Sequence, residues 1–152
     1  MKNKKWLWRL LAAAIVVGLV WFYWPRSLLD ITGLRNQEAI KIWVSWSSGM
    51  DDYGTRVTED PAEMVAYLSA LDKVRFQEEL HFGGIIRLEG DRMDHVAIYV
   101  AEGGYVHFEY SSGDGTMSYS GPGFSKVFHI SGDPGQLKPL FDLVDTWPTS
   151  EK

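Results

Sequence analysis

The 152-residue chain predicts an α+β fold: one N-terminal transmembrane helix, then a small domain of mostly antiparallel sheet with two helices packed on one face. Three observations lead there. A predominantly apolar run, Trp6 to Trp24, interrupted only by the charge of Arg9, lies near the N-terminus. Period-two alternation of apolar and polar residues recurs in segments separated by Gly- and Asp-rich turns. Two helices also open alike, at Asp60-Pro-Ala-Glu63 and Asp133-Pro-Gly-Gln136. No βαβαβ alternation occurs, so a doubly wound parallel sheet is not expected.

Residues 1–5 read as a basic cytoplasmic tail and 6–24 as a signal-anchor helix. At about 1.5 Å per residue, this run approaches the thickness of the hydrocarbon layer. Trp6 and Trp8 at one end, and Trp21, Phe22, Tyr23 and Trp24 at the other, occupy the places of the two interfacial aromatic belts. Arg9 lies one turn inside the first end, where its stem can carry the charge back to the headgroups. Lys2, Lys4, Lys5 and Arg9 precede or begin the run and only Arg26 and Arg35 follow it closely, which predicts an inside N-terminus and an extracytoplasmic C-terminal domain. A signal peptidase needs small residues after the apolar stretch; Trp-Phe-Tyr-Trp-Pro-Arg stands there instead, so the helix should be retained. The lipid bilayer is thus the expected partner of residues 6–24, in a single-pass cell-membrane protein. Pro25 ends the helix.

Residues 25–38 read as a juxtamembrane linker, 39–147 as the domain and 148–152 as a flexible tail. Beyond Arg26 stand ten basic and twenty acidic residues, a net charge of −10. Such a surface repels nucleic-acid phosphate and anionic lipid, so no nucleic-acid role is expected. The chain has no cysteine, which excludes disulfides, thiol catalysis and cysteine-ligated zinc. Its aromatic content, 14%, is that of a folded chain.

Ala39 to Trp46 alternates strictly, with Ile40, Ile42, Val44 and Trp46 on one face and Lys41, Trp43 and Ser45 on the other. Ser47 to Glu59 is expected to be a loop or hairpin turn with a short returning strand at 56–58. Asp60 caps a helix over 61–72 whose apolar side is Met64, Val65, Leu68 and Leu71, with Glu63 bonding back to the cap amide. Arg75 to Phe82 is extended, followed by strands at 85–88, 93–101 and 105–110, a turn-rich link at 111–115 and a strand at 126–130. Asp133 opens a second helix with Leu137, Leu140, Phe141 and Val144 inward.

The hairpin from Met93 to Tyr110 is the most informative piece. Burying Val96, Ile98 and Val100 with Val106, Phe108 and Tyr110 requires an odd loop, read as Glu102-Gly103-Gly104, which puts Tyr99 opposite His107, Ala97 opposite Glu109 and His95 opposite Ser111. The other face then collects His95, Tyr99, His107 and Glu109 around Ala97. Two imidazoles and a carboxylate can ligate a metal or pair as base and orienting acid, but His95 and His107 are offset in this register, so a metal would need help from His129. The plain expectation is a solvated polar face, with no cofactor. Trp43 points to that same polar face; with Tyr99, Tyr105 and Tyr119 it could line a recognition groove, unless the 111–124 segment covers it. His81 and His129 read as ordinary strand residues. The chain has no phosphate loop, calcium loop, Gly-x-Ser-x-Gly elbow or His-Glu-x-x-His pair.

The expected role is therefore a membrane-anchored binding or interaction domain of the bacterial cell-envelope type, without enzymatic activity, working with an envelope or membrane protein. An envelope enzyme or metal-binding protein using His95, His107 and Glu109 is the alternative from another class. A third is a small inhibitor or immunity-type subunit.

Overall fold

The computed structural model describes residues 3–48, 52–79, 92–113, 115–121 and 124–149. The predicted strand at 85–88, its following turn, and His81 lie outside them.

Helix α1, Asn3–Phe22, carries the apolar run, and its Lys4–Phe22 stretch is long and apolar enough to cross a membrane. It is compatible with a single-pass membrane protein and equally with a signal sequence. The helix is shifted towards the N-terminus relative to the expected 6–24. Tyr23 and Trp24 form a turn, because the residue before a proline avoids helical geometry. The guanidinium of Arg26 lies 5.2 Å from the Trp21 ring centre.

The expected linker is folded. Strand β1, Arg26–Ser27, pairs with a strand of the sheet, and helix α2, Leu28–Thr32, follows at once with Ser27 as its cap. A 3-10 turn, Leu34–Asn36, comes next. Leu28, Leu29 and Leu34 are buried in the core, so the domain begins three residues after α1 ends. A linker has no apolar residues to bury; this stretch has three leucines.

Among the described residues eight strands form one sheet: β1, β2 (Ala39–Ser48), β3 (Asp52–Thr58), β4 (Arg75–Glu78), β5 (Met93–Val100), β6 (Tyr105–Ser111), β7 (Thr116–Gly121) and β8 (Phe124–Ile130). Their spatial order is β1-β4-β8-β7-β6-β5-β2-β3, and every pairing is antiparallel. Strand β3 runs over seven residues rather than the expected three. Residues 111–124, expected to be loop that might cover Trp43, contain all of β7 instead, which sits inside the sheet.

Helix α3, Pro61–Lys73, leaves β3 at one edge and delivers the chain to β4 near the other, so it must traverse the sheet's inner face. Asp60 caps it through the Ala62 amide, as expected. Glu63 does not reach the cap amide: it accepts from the Thr58 hydroxyl, and that hydroxyl in turn accepts from the Asp60 amide. Tyr67, not Val65, joins Met64 and Leu71 in the core, while Val65 is exposed. Asp133 opens a 3-10 turn, Pro134–Leu137, that runs into helix α4, Lys138–Thr146; Leu137, Leu140, Phe141 and Val144 point inward as expected.

The core lies between these helices and Ile42, Val44, Val96, Ile98, Phe108, Tyr110, Met117, Phe128 and Phe76 of the sheet. Trp147, just after α4, is 1% exposed and packs on Tyr67 at 5.2 Å. The expected flexible tail is docked at its start. The Val57 amide donates to the Pro148 carbonyl, and Thr149 bridges Arg56, so the chain's end covers part of the β3 edge.

Candidate functional site on the outer sheet face

Strands β5 and β6 set the site. Their connection is the three-residue loop Ala101-Glu102-Gly103, one position earlier than expected: the Gly103 amide donates to the Val100 carbonyl and the Val100 amide to Gly104. Such a loop needs its last residue at positive φ. Gly103 (φ 91°) and Gly104 (φ 93°) both meet that condition, so glycine placement alone does not discriminate between the two registers. The slide is two residues in pairing sum, which leaves inside and outside unchanged but rewrites every cross-strand neighbour. Tyr99 pairs with Tyr105, Ala97 with His107 and His95 with Glu109, replacing the expected Tyr99–His107, Ala97–Glu109 and His95–Ser111 pairs.

Adding β2 and β7 gives three rows across the outer face. Lys41, Tyr99 and Tyr105 form one; Trp43, Ala97 and His107 the next; Ser45, His95, Glu109 and Ser118 the third. Trp43, flanked by Val57 on β3 and Ala97 on β5, is half-buried by its neighbours in the sheet. The Tyr99 and Tyr105 rings are 5.6 Å apart and tilted, with Tyr105 largely exposed. Five of the predicted residues therefore flank His95 on a single face: Trp43, Tyr99, Tyr105, His107 and Glu109.

The corrected register removes the spacing problem. His95 Nδ1 lies 2.9 Å from Glu109 Oε1. Ligating atoms of His95, His107 and Glu109 all lie within 4.8 Å of one another without any contribution from His129. The Glu109 hydrogen bond raises the His95 pKa above its ordinary value against the opposing effect of burial. The same bond to His95 lowers that of Glu109. The two form an ion pair whose side chains remain about a third exposed, at 37% and 32%.

Two predicted members are elsewhere. Tyr119 pairs with Phe108 and Lys126 on the inner side and lines a cleft with Arg26, Asp30, Ile31, Glu78 and Phe128. His129, on β8, pairs with Glu79 at 2.6 Å and borders a second cleft with Tyr23 and Gln77. Asp52 is an exposed residue of β3 and joins no ligand set among the described residues.

Sequence reasoning missed a buried polar cluster on the inner face. Asp94 is fully buried and receives two bonds from Arg92, whose guanidinium also grips Asp145 of α4 at 2.9 Å. Tyr110 donates to Asp94 and shares a hydrogen bond with Tyr67 of α3. Burial raises the Asp94 pKa, and Arg92 opposes it. The signal was available: the parity that turns Val96, Ile98 and Val100 inward also turns Asp94 inward. Lying between the sheet and the helices, this cluster ties the sheet to α3 through Tyr67 and to α4 through Asp145.

The fold and site define an α+β domain, built on an eight-stranded antiparallel sheet and preceded by an apolar helix, with a His/His/Glu cluster and aromatic neighbours on its outer face. No protein-family model matches the chain, and neither a curated protein nor a solved structure matches it significantly.

Proposed function

We propose that this chain is a single-pass, membrane-anchored extracytoplasmic domain of the cell envelope, and that the outer face of its sheet is a binding surface. The observation that carries the binding role is convergence: Trp43, His95, Tyr99, Tyr105, His107 and Glu109, drawn from β2, β5 and β6, share one partly exposed face opposite the packed helices. Exposed aromatic side chains beside a charged cluster are the composition of recognition surfaces rather than of a merely solvated one.

Retention of α1 as an anchor is supported by bulky residues where a peptidase would need small ones, Trp21 to Pro25. The orientation is supported by Lys2, Lys4, Lys5 and Arg9 at one end of the apolar run against only Arg26 and Arg35 soon after the other. With only Tyr23, Trp24 and Pro25 between helix and domain, the anchor holds the sheet close to one membrane face.

Two measurements test the reading. Protease added to spheroplasts is expected to digest the C-terminal domain, and mass spectrometry of the membrane-bound chain to recover peptides from 10–24 still joined to Arg26. Protection of the domain, or a mature chain beginning after Trp24, overturns the anchor or its orientation. A photoreactive amino acid at Tyr105 is expected to give a discrete adduct in native membranes that the same probe at Val65, exposed on α3 on the other side of the sheet, does not give. Equal labelling at both positions, or none at 105, overturns the binding role of the outer face.

A further inference from the structure

We infer that His95, His107 and Glu109 form a divalent transition-metal site of the zinc class, with at least one coordination position open to an exchangeable ligand. The inference rests on the outer face being the working surface, and names what that surface holds.

The donor set comes first. Two imidazole nitrogens and one carboxylate suit zinc and its borderline neighbours; calcium and magnesium call for oxygen ligands throughout, and copper(I) for sulfur. Geometry comes second. Four-coordinate zinc at about 2.0–2.2 Å from its ligands holds those ligands roughly 3.3 Å apart. His95 Nδ1 and Glu109 Oε1 already stand at 2.9 Å, and the full set lies within 4.8 Å. Bringing the widest pair to that spacing calls for about 1.5 Å of side-chain closure.

The backbone is suited to hold that position. Strands β5 and β6 are interior strands of the sheet, so the Cα positions of His95 and Glu109 are set by ladders on both sides and that of His107 by its pairing with Ala97 on β5. Ala97, opposite His107 and one place along from His95 on the same face, adds only a methyl group between the imidazoles and Trp43. A longer side chain there would crowd the ligands.

Three protein ligands leave tetrahedral zinc one position short. That is the pattern of sites that exchange a water or a ligand, not of closed structural sites with four protein ligands. Side-chain exposure of about a third at His95 and Glu109 keeps solvent in reach of the ion. In the metal-free protein Glu109 and His95 hold one another in place; on binding, the metal replaces the proton between them, which leaves to solvent. The acidic balance of the domain favours accumulation of divalent cations near it.

The test uses the full chain without a polyhistidine tag, in detergent micelles, stripped with EDTA and titrated with zinc sulfate against a fluorescent zinc chelator. One equivalent of zinc is expected to bind. The His107→Ala and Glu109→Gln variants are each expected to bind at least about 100-fold more weakly, since loss of an outer-shell partner alone costs about 10–100-fold. His129→Ala is expected to bind as the parent chain does. Cobalt(II) should give the intense visible bands of a four-coordinate nitrogen/oxygen site in the parent chain and lose them in Glu109→Gln, an isosteric change that keeps the fold readable by near-ultraviolet circular dichroism. Failure to take up stoichiometric zinc, or undiminished uptake in both ligand variants, overturns the inference. If zinc fails while the Tyr105 adduct persists, the metal site alone falls; loss of both removes the binding surface as well.

Discussion

Replacing Asp94 by leucine isolates the buried ion cluster that joins the sheet to α4. Asp94 is fully buried and Arg92 nearly so, with the Arg92 side chain 16% exposed. Removing one member of a buried pair typically costs about 3–5 kcal/mol, because the other charge is left without compensation. Here Arg92 keeps its two-pronged grip on Asp145, but that carboxylate is half exposed and only partly offsets the loss. The lower end, about 3 kcal/mol, is therefore expected. An unfolding entropy of about 0.25 kcal/mol/K for a domain of roughly 120 residues turns this into a fall in Tm of about 12 °C. Removing both charges in Arg92→Met/Asp94→Leu leaves no stranded ion, so the double variant is expected to lose only about 1 kcal/mol, or roughly 4 °C. The assay is thermal unfolding of the full chain in nanodiscs, followed by the loss of near-ultraviolet circular dichroism as buried Trp147 and Tyr110 are released from the core. A single variant within about 2 °C of the parent, or a double variant less stable than the single, would refute the account of Arg92 as a charge held by Asp94.

The folded juxtamembrane stretch predicts that Leu28→Ala, at a fully buried position, destabilises the domain by about 3 kcal/mol; an unchanged Tm in the same assay would return residues 26–36 to the status of a linker. The His95–Glu109 pair predicts a stability window in the metal-free protein. The lowered Glu109 pKa contributes stability above its ordinary 4.5 that is lost as pH falls through the folded value, and the raised His95 pKa contributes stability below its ordinary 6.5 that is lost as pH rises through the folded value. In EDTA, the Tm difference between the parent chain and Glu109→Gln should therefore be largest between about pH 4.5 and 6.5 and shrink on either side, with His107 and Asp94 as the other charged groups acting on the pair. A difference that grows steadily to pH 8 contradicts the pairing.

Much of the architecture was legible because it is written in short-range periodicity. Alternation along Lys41–Trp46 and Met93–Tyr110 assigns residues to a face whatever the neighbouring strand proves to be, but Ile40, expected inward with Ile42 and Val44, is half exposed beside a register shift between Ala39 and Lys41. That is why His95, Tyr99, His107 and Glu109 share one face despite the wrong register, whereas Tyr119, expected beside Trp43, lies on the inner side. Asp-Pro capping likewise located both helix starts, since the cap bond is made within two residues. What failed was non-local. The strand at Thr116–Gly121 falls inside the expected 111–124 loop because its Ser and Gly residues have weak strand preference, and pairing with both β6 and β8 overrides it. Tyr67 was passed over for Val65 because helical spacing admits either, and the contact with Trp147 from the far end of the chain selects the tyrosine.

By itself, then, the sequence determined the apolar N-terminal helix, the α+β class, the two capped helix starts and the shared face of His95, Tyr99, His107 and Glu109. Each follows from interactions between residues at most a few positions apart. Only the tertiary structure decided that the juxtamembrane leucines belong to the core, that the Pro148–Thr149 end docks on β3, and that His95 stands opposite Glu109 and not Ser111. The last decision matters most for the site. Two registers with identical inside and outside patterns and equally suitable glycines differ only in which side chains meet across the strands, and that difference is settled by packing against the rest of the sheet.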